Sequence, residues 1–291
     1  MLNQEIINLY DEYTHKPLDR RVFLQRLTDL VGSAAVAVGL IPLLAANQAQ
    51  AAIIAIDDAR LDTQYLNVKG KLGDTKSYLA YPKKASKLPA VIVTHENRGL
   101  NAHIEDVARR LALEGFLVLA PDLLSPLGGT PIDEDAARAL IGKLESTQTL
   151  QQLDDAIVFL QQHAHSNGKV GAVGFCWGGG AVGDLAVHST SLAAGVVYYG
   201  RQPKSEDVTN ITAPLLLHYG GLDTRINQGI PAFEEALKKA NKNYSLNIYD
   251  GVNHAFNNDT SEARYDKAAA ELAWSRTVAF FKQNLLVKTS S

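Results

Sequence analysis

Gly174-Phe175-Cys176-Trp177-Gly178 joins an apolar run to a glycine-rich one, and the only cysteine of the chain stands at its centre. Residues 169–173, before it, have the β-branched character of a short buried strand, and the small residues after it indicate the start of a helix. So tight a turn strains the backbone of its central residue and lifts that side chain clear of the sheet. The pattern predicts a nucleophile elbow carrying Cys176. The alternative is a buried, inert cysteine.

The composition limits the classes of function. The chain has 291 residues, 46% of them hydrophobic, which suffices for the core of one large α/β domain. A net charge of −3 and the lack of a Lys/Arg block argue against a nucleic-acid partner. A single cysteine excludes an internal disulfide framework, and the sequence contains neither a metal-ligand spacing nor a cofactor motif. We therefore expect no cofactor and no metal.

The first 51 residues have the features of an export signal. The pair Arg20-Arg21 precedes a moderately apolar stretch, residues 30–46, and Ala49-Gln50-Ala51 provides a small-residue cleavage site. This arrangement resembles a twin-arginine signal peptide. We expect residues 1–51 to lie outside the fold and to be cleaved, residues 52–61 to form a linker, and the mature protein to be a periplasmic bacterial monomer.

A membrane anchor is the alternative for the same stretch. Gly32, Gly39, Pro42 and the many alanines make it a poor permanent span, so no stable anchor is expected after cleavage. The partners expected are the twin-arginine export machinery and a small-molecule substrate.

Residues 62–291 read as a single domain in which strands and helices alternate. About eight strand candidates occur, with an antiparallel hairpin first and buried apolar strands afterwards. This order predicts an α/β-hydrolase fold, with a mostly parallel eight-stranded sheet covered by helices on both faces.

Two later strand ends carry the groups that a thiol nucleophile needs. Asp223 follows the strand at 214–219, and His254 follows the strand at 244–249. The order nucleophile, acid, base is that of α/β-hydrolases, so we predict a triad of Cys176, Asp223 and His254. Asp250 is interpreted as a turn residue.

Two other histidines were considered at strand positions. His218 lies inside an apolar strand and is interpreted as a core histidine. His95 follows the strand at 90–94 beside Glu96, a position that faces the active site in this fold.

Several motifs together resemble the dienelactone hydrolase family, from about Tyr78 to the C-terminal helix. They are Thr94-His95-Glu96-Asn97-Arg98-Gly99-Leu100-Asn101, Ala120-Pro121-Asp122-Leu123, Gly168-Lys169-Val170-Gly171, the cysteine elbow, Gly221-Leu222-Asp223 and His254-Ala255-Phe256. The resemblance implies a Cys176–His254–Asp223 triad and a Glu96 that meets the thiol in the resting enzyme and helps to ionise it. It also implies an oxyanion hole made by the backbone N–H groups of Trp177 and Asn97.

The sequence departs from that family where the substrate is bound. The founding dienelactone hydrolases hold a substrate carboxylate with two arginines, one of them shortly after the histidine, but here no arginine follows His254 until Arg264. Arg138 lies near the other expected place, and Arg98 is a possible substitute. The leading hypothesis is a cysteine hydrolase of esters or lactones. Alternatives are an esterase or thioesterase for neutral acyl substrates and a non-catalytic binding protein on the same scaffold.

Overall fold

The sheet has eight strands. The computed structural model describes residues 3–15, 18–45 and 53–286. The strands are β1 (Leu61–Val68), β2 (Thr75–Pro82), β3 (Leu88–Thr94), β4 (Leu117–Pro121), β5 (Ser166–Phe175), β6 (Ala194–Tyr198), β7 (Leu215–Gly220) and β8 (Tyr244–Tyr249). They lie in the order β1-β2-β4-β3-β5-β6-β7-β8. The predicted α/β-hydrolase fold is confirmed.

The sheet is mostly parallel, and the helices that connect its parallel strands cover both of its faces. β2 pairs antiparallel with β1 and with β4, and every other neighbouring pair is parallel. β3, β4, β6 and β7 are buried along their whole length, which explains their continuous apolar sequences. One hydrophobic cluster lies on each face.

Seven α-helices follow β1 in the described part of the chain. They are α4 (Ala102–Leu113), α5 (Glu134–Ile141), α6 (Ser146–Gln162), α7 (Trp177–His188), α8 (Thr224–Asn227), α9 (Ile230–Lys239) and α10 (Lys267–Leu285). β5 leads into α7 through Cys176, α8 begins after Asp223, and His254 follows β8. Because β5, β7 and β8 are parallel, these three residues lie at the same edge of the sheet.

Three further helices precede the sheet: α1 (Gln4–His15), α2 (Arg20–Val31) and α3 (Ala34–Leu44). Their apolar side chains share a small core that also touches Ala263, so this region packs on the domain. The sequence analysis had placed it outside the fold and did not foresee this packing. The predicted cleavage site Ala49-Gln50-Ala51 lies outside the described residues, and the signal peptide stays a prediction.

The membrane-anchor alternative concerns α2 and α3. Within the described ranges no single helix has the length and apolar character needed to cross a membrane, although α2 and α3 taken together do, with a bend of 110° between them.

The predicted linker is ordered in its described part, because the backbone of Ile54 bonds to the side chains of Asp106 and Arg109.

Candidate active site

Cys176 sits at a strained turn. Its backbone has φ of 53° and ψ of −115°, an unusual conformation for a residue with a side chain. The flanking glycines are required by close packing: a Cβ at Gly174 would lie 2.0 Å from the carbonyl oxygen of Gly178, and one at Gly178 would lie 2.3 Å from that of His95. The turn therefore has the geometry of a nucleophile elbow.

His254 and Asp223 meet beside this thiol. The Nδ1 atom of His254 lies 2.5 Å from Oδ2 of Asp223, and both side chains are buried. Asp223 also accepts a hydrogen bond from the backbone N–H of Ile226, which fixes the carboxylate at the start of α8. The remaining ring nitrogen of His254, Nε2, is buried and has no hydrogen-bond partner among the described residues. A ring nitrogen of His254 and the sulfur of Cys176 lie within 4.8 Å of each other.

Electrostatics favour a protonated His254. Burial alone would lower its pKa, but the charge and hydrogen bond of Asp223, together with the Cys176 sulfur, outweigh burial and raise the pKa to about 10. For Asp223 burial acts in the opposite direction, and His254 more than offsets it, so the pKa of Asp223 is lowered. The raised pKa of His254 and the lowered pKa of Asp223 both favour an imidazolium paired with a carboxylate.

A second histidine, which the sequence analysis missed, also contacts the thiol. The Nε2 atom of His15, at the end of α1, lies 2.9 Å from the sulfur of Cys176. Its ring packs edge-on against that of His254, with 4.6 Å between ring centroids. Burial first, and then the neighbouring His254 charge, lower the pKa of His15 well below its usual value. The neutral form of His15 is therefore favoured.

His15, Cys176 and His254 form the one group in the described part of the chain whose ligand atoms are close enough to hold a metal ion, all within 4.8 Å. Their separation in sequence explains why no metal-ligand spacing was visible. A hydrogen bond between thiol and imidazole accounts for the closeness of His15 and Cys176, and we assign no metal here.

Glu96 is buried beside the site, but it does not bond to the thiol among the described residues. Its Oε2 accepts a hydrogen bond of 2.8 Å from Asn258, and its Oε1 accepts one of 3.4 Å from the hydroxyl of Tyr199. The resting contact that the family resemblance implied is thus replaced by the contact between Cys176 and His15.

The two predicted oxyanion-hole residues lie at the same cavity as Cys176. Trp177 is the first residue of α7, where a backbone N–H has no acceptor within the helix. Asn97 lies in the loop after β3, and its side chain donates a hydrogen bond of 2.7 Å to the carbonyl oxygen of Thr14. Their roles in stabilising an oxyanion stay a prediction.

The cavity next to Cys176 has a volume of about 750 Å³ and contains three arginines. Arg201 is paired with Asp184. Arg138, a predicted substrate-binding residue, lies 3.3 Å from Asp135 and stacks on the ring of Tyr13. Arg225, which the sequence analysis missed, forms no ion pair among the described residues, and its buried Nη2 has no hydrogen-bond partner there.

Arg98 does not line this cavity, contrary to its suggested role as a substitute substrate-binding residue. Its guanidinium is buried 3.1 Å from Glu134 and donates a hydrogen bond of 2.7 Å to the hydroxyl of Tyr10. A buried guanidinium requires such acceptors, and here they turn Arg98 away from the thiol.

The two other histidines have structural surroundings. His218 is a core histidine, as predicted: its ring bonds to Thr277 and Tyr249, and burial lowers its pKa to about 3. His95 does not face the site as expected, because its Nδ1 contacts the Glu96 carbonyl and its Nε2 accepts from the Leu123 N–H.

Comparisons with known proteins agree with this fold. A model of the dienelactone hydrolase family matches residues 75–285. A protein of Escherichia coli K12 named "Putative carboxymethylenebutenolidase" is 32% identical over 254 residues, covering 82% of this chain and 93% of that protein. A Bradyrhizobium protein named "Probable 2-oxo-3-(5-oxofuran-2-ylidene)propanoate lactonase" is 32% identical over 234 residues, covering 75% of this chain and 94% of that protein.

A solved structure is similar over nearly its whole length. It is described as a "Putative Dienelactone Hydrolase" from Klebsiella pneumoniae, is 31% identical and superimposes with a TM-score of 0.71. The match covers 99% of that chain and 77% of this one. A chain of about the length of the sheet-forming domain therefore folds without a further N-terminal region.

Proposed function

This chain belongs to the dienelactone hydrolase family and is a carboxylic ester hydrolase, and from that premise we propose that it cleaves a lactone or ester through a thioester on Cys176. The observation that carries the proposal is the Cys176 thiol on a strained elbow beside a histidine that Asp223 holds by its other nitrogen. An inert buried cysteine would need neither the strained backbone nor the oriented imidazole.

In the proposed reaction Cys176 is a thiolate paired with the imidazolium of His254, and this sulfur attacks the substrate carbonyl. The negative charge on the carbonyl oxygen is stabilised by the N–H groups of Trp177 and Asn97. The C–O bond then breaks, the leaving oxygen takes the proton from His254, and the acyl group remains on sulfur. Water gives a proton to His254 and attacks this thioester. The C–S bond then breaks, which releases the carboxylic acid and restores the Cys176 thiolate beside the His254 imidazolium. Asp223 keeps the imidazole oriented throughout.

The test is to trap the acyl-enzyme. A protein form that begins at Ile53 is mixed with an activated aryl ester, quenched in acid within seconds and weighed by mass spectrometry. We expect the mass to rise by one acyl group located on Cys176, and Cys176→Ala to lose both the adduct and the hydrolysis. Full hydrolysis by Cys176→Ala would refute the proposed nucleophile, and Ser166→Ala in β5 serves as the control for a substitution on the same strand.

We further propose that the preferred substrate carries a carboxylate. Arg225 lines the cavity with an unpartnered Nη2, and Arg138 lies in the same cavity, so an anion beside the thiol would find cationic partners. The name of the Bradyrhizobium relative describes a lactone that bears a propanoate group. A neutral acyl substrate is the second candidate, favoured by the apolar side chains Leu144, Leu150 and Ile226 in the cavity.

We also propose that residues 1–51 direct export of the protein to the periplasm and are then removed. The adjacent arginines and the small-residue site in the sequence support this proposal. Cell fractionation followed by N-terminal sequencing of the recovered protein tests it. A mature N-terminus near Ala52 in the periplasmic fraction is expected, and Arg20→Lys together with Arg21→Lys should leave the protein inside the cell. Cytoplasmic protein with an intact N-terminus would refute it.

A further inference from the structure

We propose that α1 is an inhibitory segment, and that the mouth of the active site is the surface that binds it. The segment covers the thiol while the N-terminal region remains on the chain, and its removal opens the site. This inference rests on the proposed role of Cys176 as the nucleophile. It assigns a role to residues 4–15, which lie before the part of the chain that the family model matches.

The contact between His15 and Cys176 is the centre of this surface. Nδ1 of His15 lies 2.8 Å from the carbonyl oxygen of Asp11, which can only accept, so Nδ1 carries the hydrogen. Nε2 is then the acceptor, and the thiol of Cys176 donates to it across 2.9 Å. A thiol that donates to His15 keeps its proton, so it cannot become the thiolate that pairs with the imidazolium of His254. The segment therefore holds the sulfur in its unreactive, protonated form.

The residue before His15 contacts one of the two predicted oxyanion-hole residues. The carbonyl oxygen of Thr14 is held by the side chain of Asn97, one of the two residues predicted to stabilise the oxyanion. Thr14 and His15 both line the cavity that contains Cys176 and Trp177. The end of α1 thus lies in the cavity beside the thiol and beside both predicted oxyanion-hole residues.

Charged and polar side chains of α1 pair with charged side chains of the domain. Asp11 forms an ion pair of 3.0 Å with the buried Arg264, and the hydroxyl of Tyr10 accepts from the buried Arg98. The guanidinium of Arg264 also lies over the ring of Tyr10, 5.2 Å from its centroid. A buried guanidinium needs acceptors, and α1 supplies a carboxylate to Arg264 and a hydroxyl to Arg98, which also pairs with Glu134.

The other end of α1 is fixed as well. The side chain of Gln4 donates a hydrogen bond of 2.6 Å to Asn253, the residue before His254. Contacts at Gln4, Tyr10, Asp11, Thr14 and His15 therefore extend along the whole helix. A chance contact of a single side chain would not produce this continuity.

The proposed export signal explains how the site would open. α1 precedes the Arg20-Arg21 pair, so hydrolysis of the peptide bond after Ala51 by a signal peptidase would detach α1 from the enzyme. The covalent link gives α1 a high effective concentration at the site, and cleavage removes that advantage. The enzyme would be inactive before export and active after it.

The experiment compares the full chain with the form that begins at Ile53, which the Klebsiella structure indicates can fold alone. Alkylation of Cys176 by iodoacetamide and hydrolysis of an activated ester are measured in both. We expect both rates to be at least tenfold lower in the full chain. Asp11→Ala in the full chain should recover about tenfold or more, because a charged hydrogen bond to a buried partner is lost.

Glu5→Ala is the matched control, because Glu5 is an exposed carboxylate on the same helix. Its rates should equal those of the unmodified full chain. Equal hydrolysis by the full chain and the shortened form would overturn the inhibitory role while leaving the proposed function intact. If neither form hydrolyses esters and Cys176 is not acylated in either, the proposed function itself fails. Alkylation that is equally fast in both forms would also overturn the inhibition.

Discussion

His15 and Cys176 are 161 positions apart in the sequence, yet Nε2 of the first lies 2.9 Å from the sulfur of the second. His254 lies beside the same thiol and in contact with the ring of His15, and its Nδ1 is held by Asp223. The two histidines differ in charge state: the pKa of His254 is raised and that of His15 is lowered. Two imidazolium rings in contact would repel each other, so only His254, which Asp223 holds, is favoured as a cation. The Cys176 sulfur therefore has one neutral and one protonated imidazole neighbour.

This difference predicts that docking of α1 depends on pH. A free histidine has a pKa near 6.5, and the docked His15 has a lower one, so docking requires a neutral ring. Above pH ~6.5 the His15 ring of the undocked segment is already neutral, so docking needs no loss of a proton. Below that pH the ring must lose a proton to dock, and the equilibrium constant for docking falls by up to about tenfold for each pH unit. The groups that face His15 are the Asp11 carbonyl, Cys176, Arg225, His254 and Arg264.

The measurement is the alkylation rate of Cys176 in the full chain divided by that in the form beginning at Ile53, from pH 7.5 to 5.0. Division removes the intrinsic pH dependence of the thiol. We expect the ratio to rise towards one as the pH falls. His15→Gln should make the ratio independent of pH over this range, and a constant ratio in the unmodified chain would contradict the prediction.

Asp223→Asn should separate charge from geometry at the triad. The amide can still accept the capping bond from Ile226, so α8 is kept, but the charge that raises the pKa of His254 is removed. We expect hydrolysis by the form that begins at Ile53 to fall by about 10³–10⁴-fold, as for loss of the carboxylate in other triads. Asp250→Asn, in the exposed turn after β8, should have no such effect.

Arg225→Gln should distinguish carboxylated from neutral substrates. Loss of one charged hydrogen bond is expected to raise KM about 10- to 100-fold for a lactone or ester that carries a carboxylate, and to leave KM for a neutral ester of similar size unchanged. Arg201→Gln provides the comparison, because Arg201 lies in the same cavity but is already paired with Asp184. Equal effects of Arg225→Gln on both substrates would favour the neutral-ester alternative.

The central strands of the sheet could be predicted from sequence because they are buried on both faces. β3 and β7 appear as continuous apolar runs, and β8 has the predicted bounds, Tyr244–Tyr249. The positions of Cys176, Asp223 and His254 followed from the rule that loops after parallel strands meet at one edge. Local pattern was sufficient for these residues, since each lies in the turn or loop that follows a strand.

Contacts between distant segments could not be predicted in this way. His15, Tyr199, Arg225 and Asn258 reach the site through side-chain packing that leaves no periodic trace in the sequence. The absence of an arginine shortly after His254 was visible in the sequence, but the hydrogen bond from Asn258 to Glu96 was not. The amphipathic character of residues 4–15 was a usable signal, because an export leader does not need a helix with a buried face.

Gly178→Ala should destabilise the elbow without changing any ionisable group. The new Cβ would lie 2.3 Å from the carbonyl oxygen of His95 and 2.5 Å from that of Thr94, and neither backbone atom can rotate away. Such crowding costs about 1–3 kcal/mol or more, and each kcal/mol lowers Tm by about 2–4 °C in a domain of this size. Gly142→Ala is the comparison, since its nearest neighbour is 3.6 Å away and its φ is −64°. Thermal unfolding should therefore show a Tm lower by several degrees for Gly178→Ala alone. An unchanged Tm would mean that the turn after Cys176 can relax. The close packing of β5, α7 and the loop after β3 would then not be what holds the thiol in place.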